Sequence, residues 1–421
     1  MAKLVLKPGA DRRLRAGHPW IYRSEIGDLK GAWSAGGAVD VADSRGRYLG
    51  RGFYNPRPSL ACRVLTRIDE PVDAAFFRRR LEAALAYRRT LFSLSPLGRG
   101  QGEEFGAEGF GAEGFGGEGF GAEGLPDAYR LCWSEADGLP GLVLDRYGHV
   151  SVVQCLTLGM TLSLTWIAEA LEGLLPRGAL YRLDDPTAAR LEGFEPIRSW
   201  HGVPAPGEAV VAEGDCRFFV TPGAGQKTGL YLDQRDNRVL IAGFAAGRRI
   251  LDAFSYAGGF ACHALKAGAA GALLIDSSAD ALGLARRNLE LNGVAERAEL
   301  TEGNAFDLLR DLDSRGERFG LVILDPPPFT RRKDSLEAAA RGYKEINLRA
   351  LRLLEPGGIL ATFSCSHHVT PARFEEICRA AAGDSGVVVR LISTLGQSRD
   401  HPVLLTVPET RYLTGLLLEA V

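Results

Sequence analysis

The stretch ILDAFSYAGGF, residues 250–260, decides the fold. A short apolar run ends at Asp252, and the adjacent glycines Gly258 and Gly259 precede a segment with helical spacing that begins at Phe260. Glycines between a strand and a helix let the backbone approach a ligand closely. The stretch therefore predicts a strand, a ligand-binding loop and a helix.

The same alternation continues downstream. Apolar runs at 272–275, 321–324 and 359–363 alternate with two helical patterns, one that begins at Ala279 and one that runs through Leu348 before the last run. Continuous apolar strands that alternate with helices are typical of a parallel sheet covered on both faces. Residues 221–421 are thus predicted to form an α/β, doubly wound, Rossmann-like domain.

Two smaller units are predicted upstream. Residues 1–70 contain short alternating apolar runs, which favour a small, β-rich, barrel-like domain, and residues 71–220 read as a compact α+β domain. Within the second unit, residues 98–124 carry the repeat FGAEG FGAEG FGGEG FGAEG. Its glycine content makes ordering costly in backbone entropy, so we expect a flexible insertion.

Composition limits the function classes. The 421 residues are 46% hydrophobic, yet no run approaches a membrane span or a secretory signal, so we expect a cytoplasmic protein without membrane contact. Seven scattered cysteines without a C-x-x-C pair argue against a disulfide framework and a structural zinc site. Residues 1–70 carry 13 Lys and Arg against 7 Asp and Glu, which indicates a polyanion-binding surface or simply a solvated arginine-rich domain.

Chemically informative residues follow the predicted strands. Ligands of such sheets bind at the carboxyl ends of the strands, where Asp252, Asp276, Asp325 and Cys365 stand. Asp276 could accept both ribose hydroxyls of an adenosine cofactor, or it could cap a helix. The prolines of LDPPPF after Leu324 fix a rigid loop that aims Asp325. The glycines do not match the G-x-G-x-x-G pattern of nicotinamide enzymes.

Several motifs together resemble one enzyme family. The stretches GQKTGLYLDQRDNR, DAFSYAGGF, GNAFD, LDPPPF and SCSHH are similar to those of class I S-adenosylmethionine-dependent methyltransferases. More narrowly, they resemble the bacterial enzymes that methylate carbon 5 of cytosine in large-subunit (23S) ribosomal RNA. The start, LKPGADRRLRAGHPWIYRSEI, resembles the RNA-binding PUA domain of that family, and SEADGLPGLVLDRYG resembles its central domain.

The resemblance implies a set of site residues. Cys365 and Asp325 would be catalytic and face the base, a loop from Gln226 to Tyr231 would close over the pocket, and no metal is expected. The residues implied to bind S-adenosylmethionine are Gln226, Lys227, Tyr231, Asp252, Phe254, Ser255, Tyr256, Gly258, Asp276, Ser277, Asn304, Ala305 and Asp325. Ribosomal RNA is the implied substrate, and a homodimer is an option.

The chemistry gives Cys365 a reason to be there. Carbon 5 of cytosine is a poor nucleophile until a thiolate adds to carbon 6, and cysteine suits that task. Three other readings stay open: Cys365 with His367 and His368 as a metal site, an inert thiol, or a methyltransferase for purine amines that needs no thiol. A non-catalytic RNA-binding protein with a vestigial domain is a fourth. Unlike other RNA cytosine methyltransferases, the chain has no second cysteine after the Asp-Pro-Pro element.

Overall fold

The computed structural model describes residues 1–94, 124–201, 207–223, 229–329, 336–366 and 368–421. Nearly all of the repeat at 98–124 lies outside the described residues, as do Gln226, Lys227 and His367. Four sheets contain the strands of the described part of the chain.

The amino-terminal sheet has six strands in the order β2-β6-β5-β4-β1-β3. Only the pair β1 and β4 is parallel. The buried side chains of this sheet form a core of their own, as the alternating pattern predicts. The elements are β1 Lys3–Leu6, α1 Arg12–Arg15, β2 Trp20–Tyr22, β3 Ile26–Lys30, β4 Ala38–Ala42, β5 Tyr48–Tyr54 and β6 Leu60–Thr66.

The central sheet has five strands, and one face is covered by two helices. Asp73 caps the helix Ala74–Ser93 by accepting a hydrogen bond from the Phe76 N–H at 2.9 Å. The buried face of this helix begins with Phe76 and Phe77. The strand order is β11-β10-β9-β8-β7, and a separate hairpin, β12 and β13, follows. The elements are α2 Ala74–Ser93, β7 Ala128–Trp133, β8 Leu142–Tyr147, β9 Val150–Cys155, α3 Leu158–Leu162, α4 Leu164–Leu174, β10 Ala179–Leu183, α5 Pro186–Glu192, β11 Arg198–His201, β12 Ala209–Glu213 and β13 Cys216–Val220.

The carboxy-terminal sheet has seven strands in the order β16-β15-β14-β17-β18-β20-β19. The strand order reverses between β14 and β17, which creates the crevice where ligands of such sheets bind. The elements are α6 Arg235–Ala242, β14 Arg249–Ala253, α7 Gly259–Lys266, β15 Gly271–Asp276, α8 Ala279–Leu291, β16 Ala298–Glu302, α9 Ala305–Ser314, β17 Phe319–Leu324, α10 Leu336–Arg352, β18 Leu354–Ser364, α11 Pro371–Ser385, β19 Val389–Gly396 and β20 Thr414–Ala420.

The α/β prediction for this part is confirmed, with one correction. Strands β14 to β18 pair in parallel, but β20 pairs antiparallel with both β18 and β19. The strands that the sequence predicted are all parallel, whereas the antiparallel strands β19 and β20 were not predicted. An apolar run does not encode strand direction. An antiparallel strand such as β20 satisfies the backbone hydrogen-bonding groups of β18 as well as a parallel strand would.

The division into units 1–70, 71–220 and 221–421 stays our proposal. The hairpin of β12 and β13 lies before residue 221, yet its buried side chains share a hydrophobic core with α7 and α8. The junction between the second and third units is thus packed. Across the described ranges, the structure contains no helix with the length and apolar character of a bilayer span.

Candidate active site

A cleft of about 1110 Å³ opens at the carboxyl ends of β14, β15, β17 and β18. This volume slightly exceeds the usual range for ligand pockets, so it can hold a cofactor beside a second substrate. Ten of the predicted site residues line it: Tyr231, Phe254, Ser255, Tyr256, Asp276, Ser277, Asn304, Ala305, Asp325 and Cys365.

The loop after β14 has an unusual backbone. Phe254 and Tyr256 have positive φ angles of 66° and 48°, a region that bulky residues rarely occupy. Their geometry is held from β15, because the Ser255 N–H donates to the Ile275 carbonyl at 3.0 Å. Backbone strain of this kind concentrates at functional sites, where surrounding contacts maintain it.

Asp276 is positioned by two backbone donors. One carboxylate oxygen accepts from the Tyr256 N–H and the other from the Ser278 N–H, both at 2.9 Å. Ser278, and not Asp276, caps α8 through its hydroxyl. The half-buried carboxylate is therefore oriented towards the cleft with lone pairs that can accept further hydrogen bonds.

Asn304 and Ala305 mark the start of α9. The Asn304 side-chain oxygen accepts from the Phe306 N–H at 2.9 Å, which orients the exposed amide beside the cleft. Ala305 is buried directly behind it. This pair lies at the end of the cleft beyond Asp276, because β16 neighbours β15.

Asp252 and Gly258 lie beneath the cleft and not among its lining residues. Asp252 is fully buried and accepts a hydrogen bond from the Ala261 N–H at 3.1 Å. Burial raises the pKa of this carboxyl to about 8. A side chain at Gly258 would meet Ala285 at 3.1 Å and Leu274 at 3.2 Å, so this glycine serves the packing of α7 against α8 and β15.

Asp325 and Cys365 follow neighbouring strands, β17 and β18, on the other side of the strand-order reversal. The Cys365 thiol donates to the Pro326 carbonyl at 3.6 Å, which ties the thiol to the proline loop. Cys365 is half-buried, whereas the other six cysteines are buried, and none of the seven forms a disulfide. Among the residues that the structure places, no cluster of three metal-ligating side chains occurs.

Phe329 is packed within an aromatic cluster. Its ring centroid lies 4.5 Å from that of Tyr343 and 5.5 Å from that of Phe306. The Tyr343 hydroxyl in turn lies 2.9 Å from the Ser366 Oγ, next to Cys365 in the chain. The cluster thereby supports the strand end that carries the thiol.

Tyr231 lines the cleft between its two halves, one with Tyr256 and Asp276 and the other with Asp325 and Cys365. Its ring packs edge-on against Tyr256 with centroids 4.9 Å apart. Burial, followed by the nearby Tyr256 and Asp325, raises the pKa of the Tyr231 phenol well above its ordinary value. The phenol is therefore neutral at physiological pH and can act as a hydrogen-bond donor.

Sequence reasoning missed a buried ionic cluster behind this tyrosine. Arg238 donates two hydrogen bonds to Glu213, at 2.5 and 2.7 Å, and a third to the Tyr231 carbonyl at 2.9 Å. The His263 ring also contacts Glu213 at 3.0 Å. The sequence signal for this cluster was the dense polar run DQRDNR, residues 233–238, at the start of a helix. In the structure its two arginines are buried, and buried arginines are rare unless they are paired.

Comparison with known proteins agrees with this geometry. Residues 161–395 match the family described as S-adenosylmethionine-dependent methyltransferase, and residues 4–67 match the PUA-like domain. The chain belongs to the S-adenosylmethionine-dependent methyltransferases. Its cofactor is S-adenosylmethionine, and its amino-terminal sheet is a PUA-like domain.

Full-length relatives narrow the family. The chain is 37% identical to ribosomal RNA large subunit methyltransferase I of Alteromonas mediterranea, covering 99% of this chain and 98% of the relative. It is 38% identical to the protein of that name from Klebsiella pneumoniae, covering 98% and 97%. This methyltransferase therefore belongs to the family of those proteins.

Solved structures share the fold over the whole chain. A candidate S-adenosylmethionine-dependent methyltransferase from Streptococcus mutans superposes with a TM-score of 0.78 at 17% identity, covering 100% of both chains. A second candidate methyltransferase, solved with S-adenosylhomocysteine, superposes with a TM-score of 0.80 at 18% identity and the same coverage. At these identities the likeness concerns the fold alone.

The residues present fit this cofactor. Within the described structure, the Ser255 Oγ, in the loop after β14 that lines the cleft, is buried without a hydrogen-bond partner. Such orphaned atoms are costly unless a ligand satisfies them. We propose that the loop 254–256 holds the amino-acid part of the cofactor, that Asp276 holds the ribose, and that Asn304 and Ala305 lie against the adenine.

Replacing Asp276 by alanine is expected to weaken S-adenosylmethionine binding about 10- to 150-fold, because a hydrogen bond to a charged acceptor contributes about 1.5–3 kcal/mol. Isothermal titration calorimetry measures the change. Glu302→Ala is the matched control, since this exposed carboxylate pairs with Asp276 in the strand register but is outside the cleft lining. Equal dissociation constants for wild type and Asp276→Ala would contradict the ribose assignment.

Proposed function

We propose that this methyltransferase forms 5-methylcytosine in large-subunit ribosomal RNA through a covalent adduct with Cys365. The observation that carries the proposal is the half-buried Cys365 thiol at the end of β18, in the same cleft as Asp325 and the loop after β14. The names of the full-length relatives support ribosomal RNA as the substrate class.

The chain's own residues account for the steps on the base. The Cys365 thiolate adds to carbon 6, and the electron pair of the carbon 5–carbon 6 double bond makes carbon 5 nucleophilic. S-adenosylmethionine, when bound, supplies an electrophilic methyl group. Asp325 accepts a hydrogen bond from the exocyclic amine and, as a protonated carboxyl, donates its proton to N3, where negative charge develops on attack.

Release of the product requires two further changes. Loss of the carbon 5 proton restores the double bond, and the thiolate leaves carbon 6. Cys365 is the one cysteine among the described residues that line the cleft, so the proton goes to a group other than a second thiol. This matches the absence of a cysteine from the segment Pro326–Phe329.

The alternative, methylation of a purine amine, is less well supported. Such enzymes stack the target base on the aromatic residue of a short Asp-Pro-Pro or Asn-Pro-Pro loop. Here Phe329 borders the cleft but its ring packs against Phe306 and Tyr343, and the exposed residues of the loop are Pro327 and Pro328. That reading would also leave the cleft position of Cys365 without a role.

The PUA-like domain is proposed to contribute phosphate contacts. Replacing the exposed Arg12, Arg23 and Arg57 by glutamine is expected to flatten the slope of log affinity against log salt by about 0.7 per lost contact to single-stranded RNA. Filter binding of 23S transcripts at salt concentrations from about 50 to about 300 mM measures this slope. A triple glutamine variant of the exposed Arg352, Arg379 and Arg390 is the control, and equal slopes for both triples would contradict the assignment.

Mapping 5-methylcytosine in ribosomal RNA from a strain that lacks this protein tests the proposal as a whole. One cytosine is expected to lose its methyl group and to regain it when the purified protein is added. An unchanged 5-methylcytosine pattern would contradict the proposal. We propose a cytoplasmic location because the proposed substrate is ribosomal RNA, and a homodimer stays a prediction.

A further inference from the structure

Gln234 is a buried glutamine in the wall of the cleft. The side chain lines the cleft and is only 2% exposed. Its Oε1 accepts a hydrogen bond from the Asn237 Nδ2 at 2.6 Å, and the same Nδ2 donates to the Gly396 carbonyl at 2.8 Å. Asn237 must present its NH₂ group to the Gly396 carbonyl, so the Gln234 atom that accepts from this NH₂ group is the amide oxygen. The Gln234 NH₂ group therefore points away from Asn237.

That NH₂ group is buried without an acceptor among the described residues. A buried donor without a partner is rare in native proteins and costs stability, so its retention calls for an explanation. A neutral donor with fixed orientation in a substrate cleft is suited to an oxygen acceptor of a ligand. The ligand group that meets it depends on which half of the cleft Gln234 faces.

The contacts of Asp233, which precedes Gln234 in the chain, show which half of the cleft Gln234 faces. Asp233 accepts a hydrogen bond from the Tyr412 hydroxyl at 2.7 Å, and its carbonyl accepts from the Ser398 N–H at 2.8 Å. Tyr412 lines the cleft just before β20. The segment that carries Gln234 is thus fastened to the β19 and β20 side of the sheet.

The register of β20 then sets its distance from the thiol. Ser364 at the end of β18 pairs with Thr414 at the start of β20, so Cys365 and Leu413 are the next residues out on each strand. Both line the cleft. Asp276, by contrast, ends β15, which lies beyond β14 and β17 from this edge. Gln234 therefore faces the half of the cleft that contains Cys365.

We propose that the Gln234 amide donates a hydrogen bond to O2 of the target cytosine. This inference rests on the proposed function. Attack of the Cys365 thiolate on carbon 6 moves an electron pair through carbon 5 and carbon 4 to N3 and onward to O2. A preorganised donor at O2 stabilises that charge as it develops, while Asp325 engages the N3 and N4 edge. Gln234 is on this reading a catalytic residue that touches the base.

Gln234→Glu is the sharpest variant, because it keeps the oxygen that Asn237 holds and replaces only the NH₂ group by an oxygen. The rate of covalent adduct formation with 23S transcripts that contain 5-fluorocytidine is expected to fall about 100-fold, as for loss of one oxyanion donor. The dissociation constant for S-adenosylmethionine is expected to change less than about twofold, because hydrogen bonds to the cofactor are retained. Gln154→Glu, on β9 outside the cleft lining, adds the same charge and is expected to react at the wild-type rate.

Transcripts with 2-thiocytidine test the contacted atom. Sulfur is a weaker hydrogen-bond acceptor than oxygen, so the wild-type methylation rate is expected to fall on these transcripts. Gln234→Glu is expected to lose much less on the same change, because the donor is already absent. Equal relative losses for both enzymes would place the amide elsewhere and overturn the inference.

Three other outcomes distinguish a failure of this inference from a failure of the proposed function. A wild-type adduct together with an unimpaired Gln234→Glu adduct overturns this inference and leaves the proposed function intact. Weakened cofactor binding by Gln234→Glu, with a normal adduct rate once the cofactor is saturating, assigns the amide to the cofactor and also overturns it. A wild-type enzyme that forms no adduct contradicts the proposed function, and the inference falls with it.

Discussion

Replacing Cys365 by alanine is expected to abolish methylation, with a loss of more than about a thousandfold, because the step that activates carbon 5 has no substitute nucleophile. Wild-type protein is expected to form a stable adduct with RNA that contains 5-fluorocytidine, since fluorine cannot leave carbon 5 as a proton does. The Cys365→Ala protein is expected to form none. A denaturing gel with labelled RNA measures the adduct directly.

The cofactor affinity of Cys365→Ala is expected to stay at the wild-type value. The cofactor residues proposed here stand on β14, β15 and β16, whereas Cys365 follows β18 on the far side of the strand-order reversal. A variant that lost both adduct and cofactor binding would indicate a damaged cleft and not a missing nucleophile. Calorimetry with S-adenosylmethionine separates the two.

Cys378→Ala is the matched control. Cys378 lies in α11, thirteen positions further along the chain, where burial raises the pKa of its thiol to about 12. It is expected to leave both adduct and turnover unchanged. An amine-methylating enzyme would instead give no wild-type adduct and an active Cys365→Ala protein, and a metal site would make chelator treatment equivalent to the mutation.

Local patterns predicted the scaffold of this cleft well. The apolar run 272–275 lies within β15, Gly271–Asp276, and α8 begins at Ala279, as the sequence predicted. Strand ends were equally informative, because Asp276, Asp325 and Cys365 all reach one cleft. This success has a physical cause: apolar periodicity and the carboxyl-end rule act over a few residues and survive any detail of packing.

The roles of Asp252 and the glycines were harder to predict. The sequence suggested that Gly258 and Gly259 admit a ligand; Gly259 lines the cleft, but a side chain there would also meet Arg238 at 2.9 Å, and Gly258 does not line the cleft. Asp252 reaches the Ala261 N–H under the loop and not the cleft surface. Both outcomes depend on what packs on the far side of the residue, and that information is absent from local spacing.

The edge of the sheet shows the same limit. Strand β19 was not predicted, although residues 387–392 read VVVRLI, and the structure leaves Val389, Leu391 and Ile392 exposed or only half-buried at the outer edge. Partners far apart in sequence, such as Asn237 and Gly396, were equally invisible. Pairings of this kind are set by tertiary packing, which overrides local propensity.

The second large effect concerns the buried cluster of Glu213, Arg238 and His263. Replacing Glu213 by glutamine is expected to lower the free energy of unfolding by about 3–5 kcal/mol, because Arg238 is left buried without its counter-charge. Urea denaturation followed by tryptophan fluorescence measures it. The Arg238 contact to the Tyr231 carbonyl is expected to loosen as well, so cofactor or substrate binding weakens beside the global loss.

The pH dependence of stability gives an independent readout of the same carboxylate. Burial alone would raise its pKa, but the Arg238 charge and the hydrogen bonds from His263 and Arg238 outweigh burial and lower the pKa of Glu213 from 4.5 to about 2. A carboxyl with a depressed folded-state pKa stabilises the fold above its unfolded pKa, and this stability is lost as the pH falls towards the folded value. Wild type is therefore expected to lose stability between about pH 4.5 and pH 2 more steeply than Glu213→Gln.

An exposed pair on α11 supplies the comparison for both measurements. Glu375 and Arg379 form an ion pair at 2.7 Å, but their side chains are 50% and 70% exposed. Glu375→Gln is expected to cost no more than about 0.5 kcal/mol, because solvent screens such pairs. If Glu213→Gln cost equally little, the buried cluster would not support Tyr231, and the wall of the cleft next to Tyr256 would need another anchor.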